Sequence, residues 1–256
     1  MSAAPYIVVG GGQAGLQVCD SLRKLGYAGE LLLVAAEPVL PYQRPPLSKK
    51  YLGGELAAER LLFRPAAHYE KLAVDVRLAV TVTAIDRARR EIECSDGTRL
   101  AYARLALATG TRVRQLQCPG AELDAVLYVR TLADSDALRA RLTDAARVVV
   151  IGGGFIGLEV AAMARQLGKG VVVLEALDRL MARAVSPAVS DFYATLHGGH
   201  GVDVRLKTGV AAIETAAHGV SVVTSDGERL PADVVVAGIG VVANEEVAAA
   251  AGLECR

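Results

Sequence analysis

Two segments of this chain, "VVGGGQAG" at Val8 to Gly15 and "VVIGGGFIG" at Val149 to Gly157, are glycine-rich turns of one design. Each follows a run of β-branched residues and opens into an Ala-rich stretch with helical periodicity, so strand, turn and helix occur in that order. Gly10, Gly12 and Gly15 fill the three glycine places of the first turn, and Gly152, Gly154 and Gly157 those of the second. The first glycine permits the tight turn, the second lets backbone approach a pyrophosphate, and the third lets helix and strand pack closely, while the helix N-terminus offers free N–H groups. A single G-x-G-x-x-G is weak evidence, because a tight turn alone can produce it. The same signal twice in the same setting predicts two dinucleotide sites, and two dinucleotides on one chain imply hydride transfer between them.

Composition supports two domains of ordinary size. The chain has 256 residues, 52% of them hydrophobic, enough for a large core. Lys and Arg number 28 and Asp and Glu 28, so no net charge argues for nucleic acid or a membrane surface. "MSAAP" leads straight into the predicted strand Tyr6 to Val9, without a basic region ahead of a long apolar stretch, and no segment has the uninterrupted apolar length of a membrane span. The expectation is a soluble, cytoplasmic protein without a signal peptide.

The chain is internally duplicated. "VDVRL" recurs at Val74 to Leu78 and Val202 to Leu206, and "SDG" followed by "RL" recurs at Ser95 to Leu100 and Ser225 to Leu230. Each copy ends in an apolar strand stopped by glycine, "LALATG" and "VVAGIG". The "SDG" pieces predict hairpin turns in a small antiparallel sheet within each unit. The first copy is longer mainly through Pro38 to Phe63, whose prolines predict an ordered, irregular loop and which has no counterpart in the second copy. The predicted fold is α/β, with two Rossmann-like doubly wound units: residues 1–112, residues 113–242, and a tail 243–256 returning to the first unit.

The motifs "PYQRPPLSKKYL", "LALATGTRVR", "YVRTLADSDALR", "VVVIGGGFIGLEVA", "VVVLEALDRL" and "VVVAGIG", in this order, resemble the FAD-dependent, NADH-using ferredoxin reductases of the putidaredoxin and rubredoxin reductase type. These lie within the glutathione-reductase-like pyridine nucleotide-disulphide oxidoreductase superfamily, and the resemblance covers the whole chain. It implies that the first unit binds FAD and the second NADH, which donates a hydride to the flavin, and that electrons then pass singly to a small ferredoxin-type iron–sulfur protein. It assigns Lys49 and Glu159 to the hydride-transfer site as an ion pair. It further implies that Ala14, Arg44, Val82, Thr109 and Arg130 line the FAD site. Members of the family continue beyond a segment like "AAGLECR" into a second FAD motif and a C-terminal domain, so the resemblance also implies an incomplete flavin site.

Three details refine this reading. Glu175 closes the strand "VVVLE" where a carboxylate accepts hydrogen bonds from the adenosine ribose hydroxyls and repels a 2′-phosphate, which favours NADH over NADPH. In the first unit Ala36 stands where related reductases carry the ribose-binding acid; Glu37 comes one position later and, on a strand, would point to the opposite face, and it is the acid that the resemblance carries over to the FAD site. Cys19, Cys94, Cys118 and Cys255 form no short-spaced pair, and the loop that carries a redox disulfide in disulfide reductases of this fold has no cysteine, so electrons should leave for an external acceptor. The four histidines show no metal-ligand spacing, and "HGGH" at His197 to His200 predicts a flexible turn. Three readings stand: an NADH:ferredoxin reductase, an NADH oxidase or quinone-type flavoenzyme, and a non-catalytic dinucleotide-binding module. Oligomeric state is left open.

Overall fold

The structure is a computed structural model and describes residues 4–255. The chain divides into two compact units. The first comprises the chain up to Gln43, Ala58–Arg112 and the chain from Ala243 onward; the second comprises Arg44–Ala57 and Val113–Val242.

The first unit is built on a four-stranded parallel sheet in the order Val74–Arg77, Leu31–Val34, Tyr6–Val9, Arg104–Leu107. Leu31–Val34 is apolar at every position and buried throughout, as expected of a parallel strand covered on both faces. Alternation of side chains sorts its core into two layers. Val8, Leu31 and Leu33 pack with Leu16 and Cys19 of the helix Gln13–Lys24 and with Tyr69. Ile7, Val9, Leu32 and Val34 pack with Val82, Ile92 and Cys94 of a three-stranded antiparallel sheet formed by Val82–Asp86, Glu91–Cys94 and Arg99–Ala101. The "SDG" turn joins the last two strands, with Gly97 at φ 83° and the Asp96 carboxylate accepting from the Thr98 N–H. The helix Glu246–Ala250 brings Val247 onto this same core.

The second unit repeats the plan. Its parallel sheet runs Val202–Arg205, Gly170–Leu174, Arg147–Ile151, Val234–Ala237, Val126–Leu127, and its antiparallel sheet is Val210–Thr215, Val220–Thr224, Arg229–Ala232. Val149, Ile151, Leu174 and Val235 pack there with Ile213, Val222 and Leu230. The duplicated "VDVR" is the third strand of each parallel sheet, paired with Leu31–Val34 and with Gly170–Leu174. The same backbone kink follows in each copy, at Ala79 (φ 57°) and Lys207 (φ 56°). No helix is long and apolar enough to cross a membrane among the described residues.

Two local expectations change. "HGGH" is not a flexible turn: His197, Gly198 and Gly199 are the last residues of the helix Pro187–Gly199 and His200 caps it. The helix extends through both glycines because burial of His197, 8% exposed, anchors its final turn. The insertion is ordered as predicted, with 3₁₀ turns at Pro45–Ser48 and Ala58–Leu61 and an antiparallel bridge between Tyr42 and Leu62. Its residues 44–57, however, group with the second unit rather than with residues 1–112. The cause is a set of bonds to one helix and the turn before it: Ser135 Oγ donates to the Leu47 carbonyl (2.7 Å), Tyr51 donates to Asp136 (2.7 Å), and Arg44 donates to the Arg130 carbonyl (2.7 Å).

Asp233 joins the starts of two neighbouring inner strands of this parallel sheet, Val234–Ala237 and Arg147–Ile151. Its carboxylate accepts from the Ala146 and Arg147 N–H groups and, at 2.6 Å, from the Arg147 guanidinium. The Arg147 hydrogen bond is the main cause that pushes its pKa down to about 2. A carboxyl of lowered pKa stabilises the fold above its unfolded value, about 3.9. That stabilisation is lost as pH falls toward about 2. We expect Asp233→Asn to lower stability by about 1–2 kcal/mol at neutral pH. In urea titrations the gap between variant and wild type should close between about pH 4 and about pH 2.

Candidate functional site

The glycine turns have the same geometry in both units. The Gly10 N–H donates to the Val34 carbonyl and the Gly152 N–H to the Leu174 carbonyl, both at 2.8 Å, which joins each turn to the end of the neighbouring strand. Gly10 at φ 126° and Gly152 at φ 107° adopt a backbone open to glycine alone. A Cβ on Gly10 would run into the Ala108 carbonyl, beside the backbone of Thr109, and one on Gly152 into the Gly238 carbonyl. Gly15 and Gly157 lie against the carbonyls of Gly10 and Gly152, so close packing of helix on turn excludes any side chain there.

The middle glycines differ. Among the described residues, a Cβ on Gly12 would meet nothing within 4 Å, and one on Gly154 only the Gly238 carbonyl at 3.9 Å. Each caps a 12-residue helix, Gln13–Lys24 or Phe155–Gln166, without a side-chain hydrogen bond to the first turn. Uncapped N–H groups at the positive end of a helix, with open space in front, form a cradle for a diphosphate. The residues therefore fit a dinucleotide in each unit. Ala14 is exposed in the first turn of its helix, and Val82 is buried against Val9 and Val34 at the start of its strand. Thr109 donates through Oγ1 to the Asn244 carbonyl (2.6 Å), and the Asn244 amide donates back to the Thr109 carbonyl (2.9 Å). Asn244 carries no motif and was invisible in the sequence.

At the end of the second strand in the second unit, Glu175 Oε2 accepts from the Gly153 N–H at 2.7 Å and Oε1 from the Leu177 N–H at 2.8 Å. The carboxylate is thus fixed beside the glycine turn, with a lone pair on each oxygen left over. The matched bonds of Gly10 and Gly152 make Ala35, not Ala36, the counterpart of Glu175. Ala35 is buried against Gly11. Glu37 lies two positions farther on, where its carboxylate accepts from the Tyr42 hydroxyl at 2.6 Å.

Residues 48 and 49 bring the insertion onto the helix Phe155–Gln166. Lys49 Nζ and Glu159 Oε1 form an ion pair at 2.7 Å, with side chains 46% and 27% exposed. Ser48 Oγ donates to the other oxygen, Glu159 Oε2, at 2.5 Å. Lys49 ends the 3₁₀ turn Pro45–Ser48 with φ −128° and ψ −119°, which lets two consecutive residues reach one carboxylate. Arg44 and Arg130 also meet, through the guanidinium of the first and the carbonyl of the second. The Arg130 N–H itself donates to Asp134 (2.9 Å).

The cysteines are separate and unpaired. Burial pushes the Cys19 thiol up to about 12 and raises that of Cys118. Among the described residues no cluster of His, Cys, Asp and Glu could hold a metal ion.

The chain is 46% identical over 248 residues to rhodocoxin reductase of Rhodococcus erythropolis, a match covering 96% of this chain and 58% of the relative. It superposes on the crystal structure of the ferredoxin reductase for the CYP199A2 system of Rhodopseudomonas palustris with a TM-score of 0.95 and 44% identity, covering 99% of this chain and 63% of that one. The covalent putidaredoxin reductase–putidaredoxin complex matches with a TM-score of 0.95 and 41% identity, over 100% of this chain and 63% of that one. The chain therefore spans about three-fifths of the length of these relatives. The profile of one family matches residues 4–256. Two glycine turns, each leading into an uncapped helix, agree with that match, and the chain belongs to the pyridine nucleotide-disulphide oxidoreductase family.

Proposed function

We propose that this chain carries FAD on its first unit and NADH on its second, takes a hydride from NADH onto the flavin, and delivers electrons singly to a small ferredoxin-type iron–sulfur protein. The observation that carries the reading is the Lys49–Glu159 pair, on the same unit as the open, uncapped turn at Gly152–Gly157. Bound flavin would supply the two-electron to one-electron conversion that the acceptor requires. Gly10, Gly12, Gly15 and the N–H groups after them would hold its diphosphate, with Ala14, Glu37, Val82 and Thr109 from the same unit; the family resemblance also assigns Arg44, Lys49 and Arg130 to FAD. Gly152, Gly154 and Gly157 would hold the NADH diphosphate, and Glu175 its adenosine ribose. The Lys49 ammonium would stabilise negative charge that develops during hydride transfer, and Glu159 would keep that ammonium in place.

The acceptor follows from two supports. Names of the relatives pair such reductases with ferredoxin-type proteins, putidaredoxin among them. The insertion Pro38 to Phe63 contains no cysteine, so no thiol of that segment competes for electrons. Four free cysteines suit a reducing, cytoplasmic setting.

The test is a visible spectrum of the chain mixed with FAD and desalted, before and after anaerobic NADH, followed by addition of an oxidised ferredoxin. A retained flavin band that NADH bleaches and the ferredoxin restores is the expected result. Loss of flavin on desalting would overturn the catalytic reading for this chain and leave a nucleotide-binding module.

A further inference from the structure

We propose that Ser48 is a positioning residue for the hydride-transfer site: its hydroxyl fixes the Glu159 carboxylate so that Lys49 is held in one place. This rests on the reading of Lys49 and Glu159 given above, and extends it to a residue with no assigned role.

Lys49 alone is poorly ordered by its surroundings. It is half-exposed, and among the described residues its ammonium reaches, besides Glu159, only the Pro45 carbonyl, at 3.1 Å. An ion pair with one exposed, flexible partner contributes little and orders a side chain weakly. Glu159 must therefore be fixed by something else if the ammonium is to stay in place. Ser48 supplies this. It is 4% exposed and sits in a turn made rigid by Pro45 and Pro46, and that turn is pinned where the Leu47 carbonyl accepts from the fully buried Ser135. Its 2.5 Å bond takes one carboxylate oxygen and leaves the other to Lys49. A hydroxyl donating to a carboxylate is a short, charge-assisted bond, stronger than a neutral one. Gln17, the residue two places after the third glycine of the first turn, instead donates to Ser21 on its own helix.

The test uses the full chain and needs no bound flavin for its first readout. Trace acetylation with acetic anhydride, quantified by mass spectrometry, gives the labelling of Lys49 relative to its exposed neighbour Lys50. Ser48→Ala should raise that ratio about two- to five-fold, because an ammonium released from a fixed partner reacts more freely. Ser48→Cys, similar in size but a weak donor, should do the same. In a Glu159→Ala background Ser48→Ala should add nothing, since its effect runs through the carboxylate. With FAD bound, stopped-flow reduction by NADH should slow about 5- to 20-fold in Ser48→Ala with NADH affinity unchanged, the pattern of a lost transition-state interaction.

An unchanged labelling ratio in Ser48→Ala, an equal increment in the Glu159→Ala background, or wild-type behaviour of Ser48→Cys would overturn the proposal. The hydride-site reading fails separately. If Lys49→Ala and Glu159→Ala reduce flavin at the wild-type rate, that reading is lost, and Ser48 is then only an anchor for Glu159.

Discussion

Gly152→Ala is expected to unfold the second unit's nucleotide turn, at a cost above about 3 kcal/mol, whereas Gly154→Ala, two residues away, should cost only about 1 kcal/mol and instead weaken NADH binding. The difference follows from what each glycine faces. Gly152 stands at φ 107°, a conformation side chains rarely adopt, and a Cβ there would lie 2.6 Å from the Gly238 carbonyl oxygen. That oxygen belongs to the backbone immediately after the inner strand Val234–Ala237, so it cannot move without disturbing the sheet. Gly154 has an ordinary extended conformation (φ −84°, ψ −178°) and open space where a methyl group would go. The methyl would occupy the place through which a diphosphate approaches the helix, and we expect NADH affinity to fall about 10- to 100-fold, or about 1.4–2.8 kcal/mol. Urea unfolding and a fluorescence titration with NADH separate the two outcomes. Equal stability of the two variants would show that the turn is not constrained as the backbone indicates. Full NADH affinity in Gly154→Ala would show that the helix N-terminus is not the diphosphate site.

The same contrast explains what could be read from the sequence. Glycine turns, β-branched strands and the repeated "VDVRL" and "SDG" are local signals, and local geometry produces the features they predict, down to the kinks at Ala79 and Lys207. The parallel sheets and antiparallel inserts were legible for that reason. The grouping of residues 44–57 with the second unit was not, because it depends on Ser135, Asp136 and Arg130, each more than eighty positions away from its partner. Ser48 was hidden in the same way: its partner is 111 positions distant, and a serine beside a lysine carries no periodic or motif signal of its own. The resemblance implies Lys49 and Glu159, which form an ion pair in the structure, but it does not imply the second grip on the carboxylate. In "HGGH" two glycines argue locally for a turn, while tertiary burial of His197 decides for helix.

Glu175 is where charge should decide between the two nicotinamide nucleotides. Its carboxylate is already fixed by the Gly153 and Leu177 N–H groups, so it needs no rearrangement to accept ribose hydroxyls with its remaining lone pairs. The same fixed negative charge would face a 2′-phosphate if NADPH took the site, and like charges held close together without a counterion oppose binding. Glu175→Gln keeps the shape and one acceptor oxygen but removes the charge. We expect it to lower NADH affinity by no more than about 5-fold and to raise NADPH affinity about 10-fold, equivalent to about 1.4 kcal/mol. Glu175→Ala removes the acceptors as well, leaving the Gly153 N–H without its side-chain partner, and should weaken NADH about 10- to 100-fold. Fluorescence titrations of both variants with both nucleotides give the four affinities. If Glu175→Gln leaves the NADH to NADPH ratio at its wild-type value, the carboxylate serves only to hold the Gly153 turn, and the choice of nucleotide must be made by other residues.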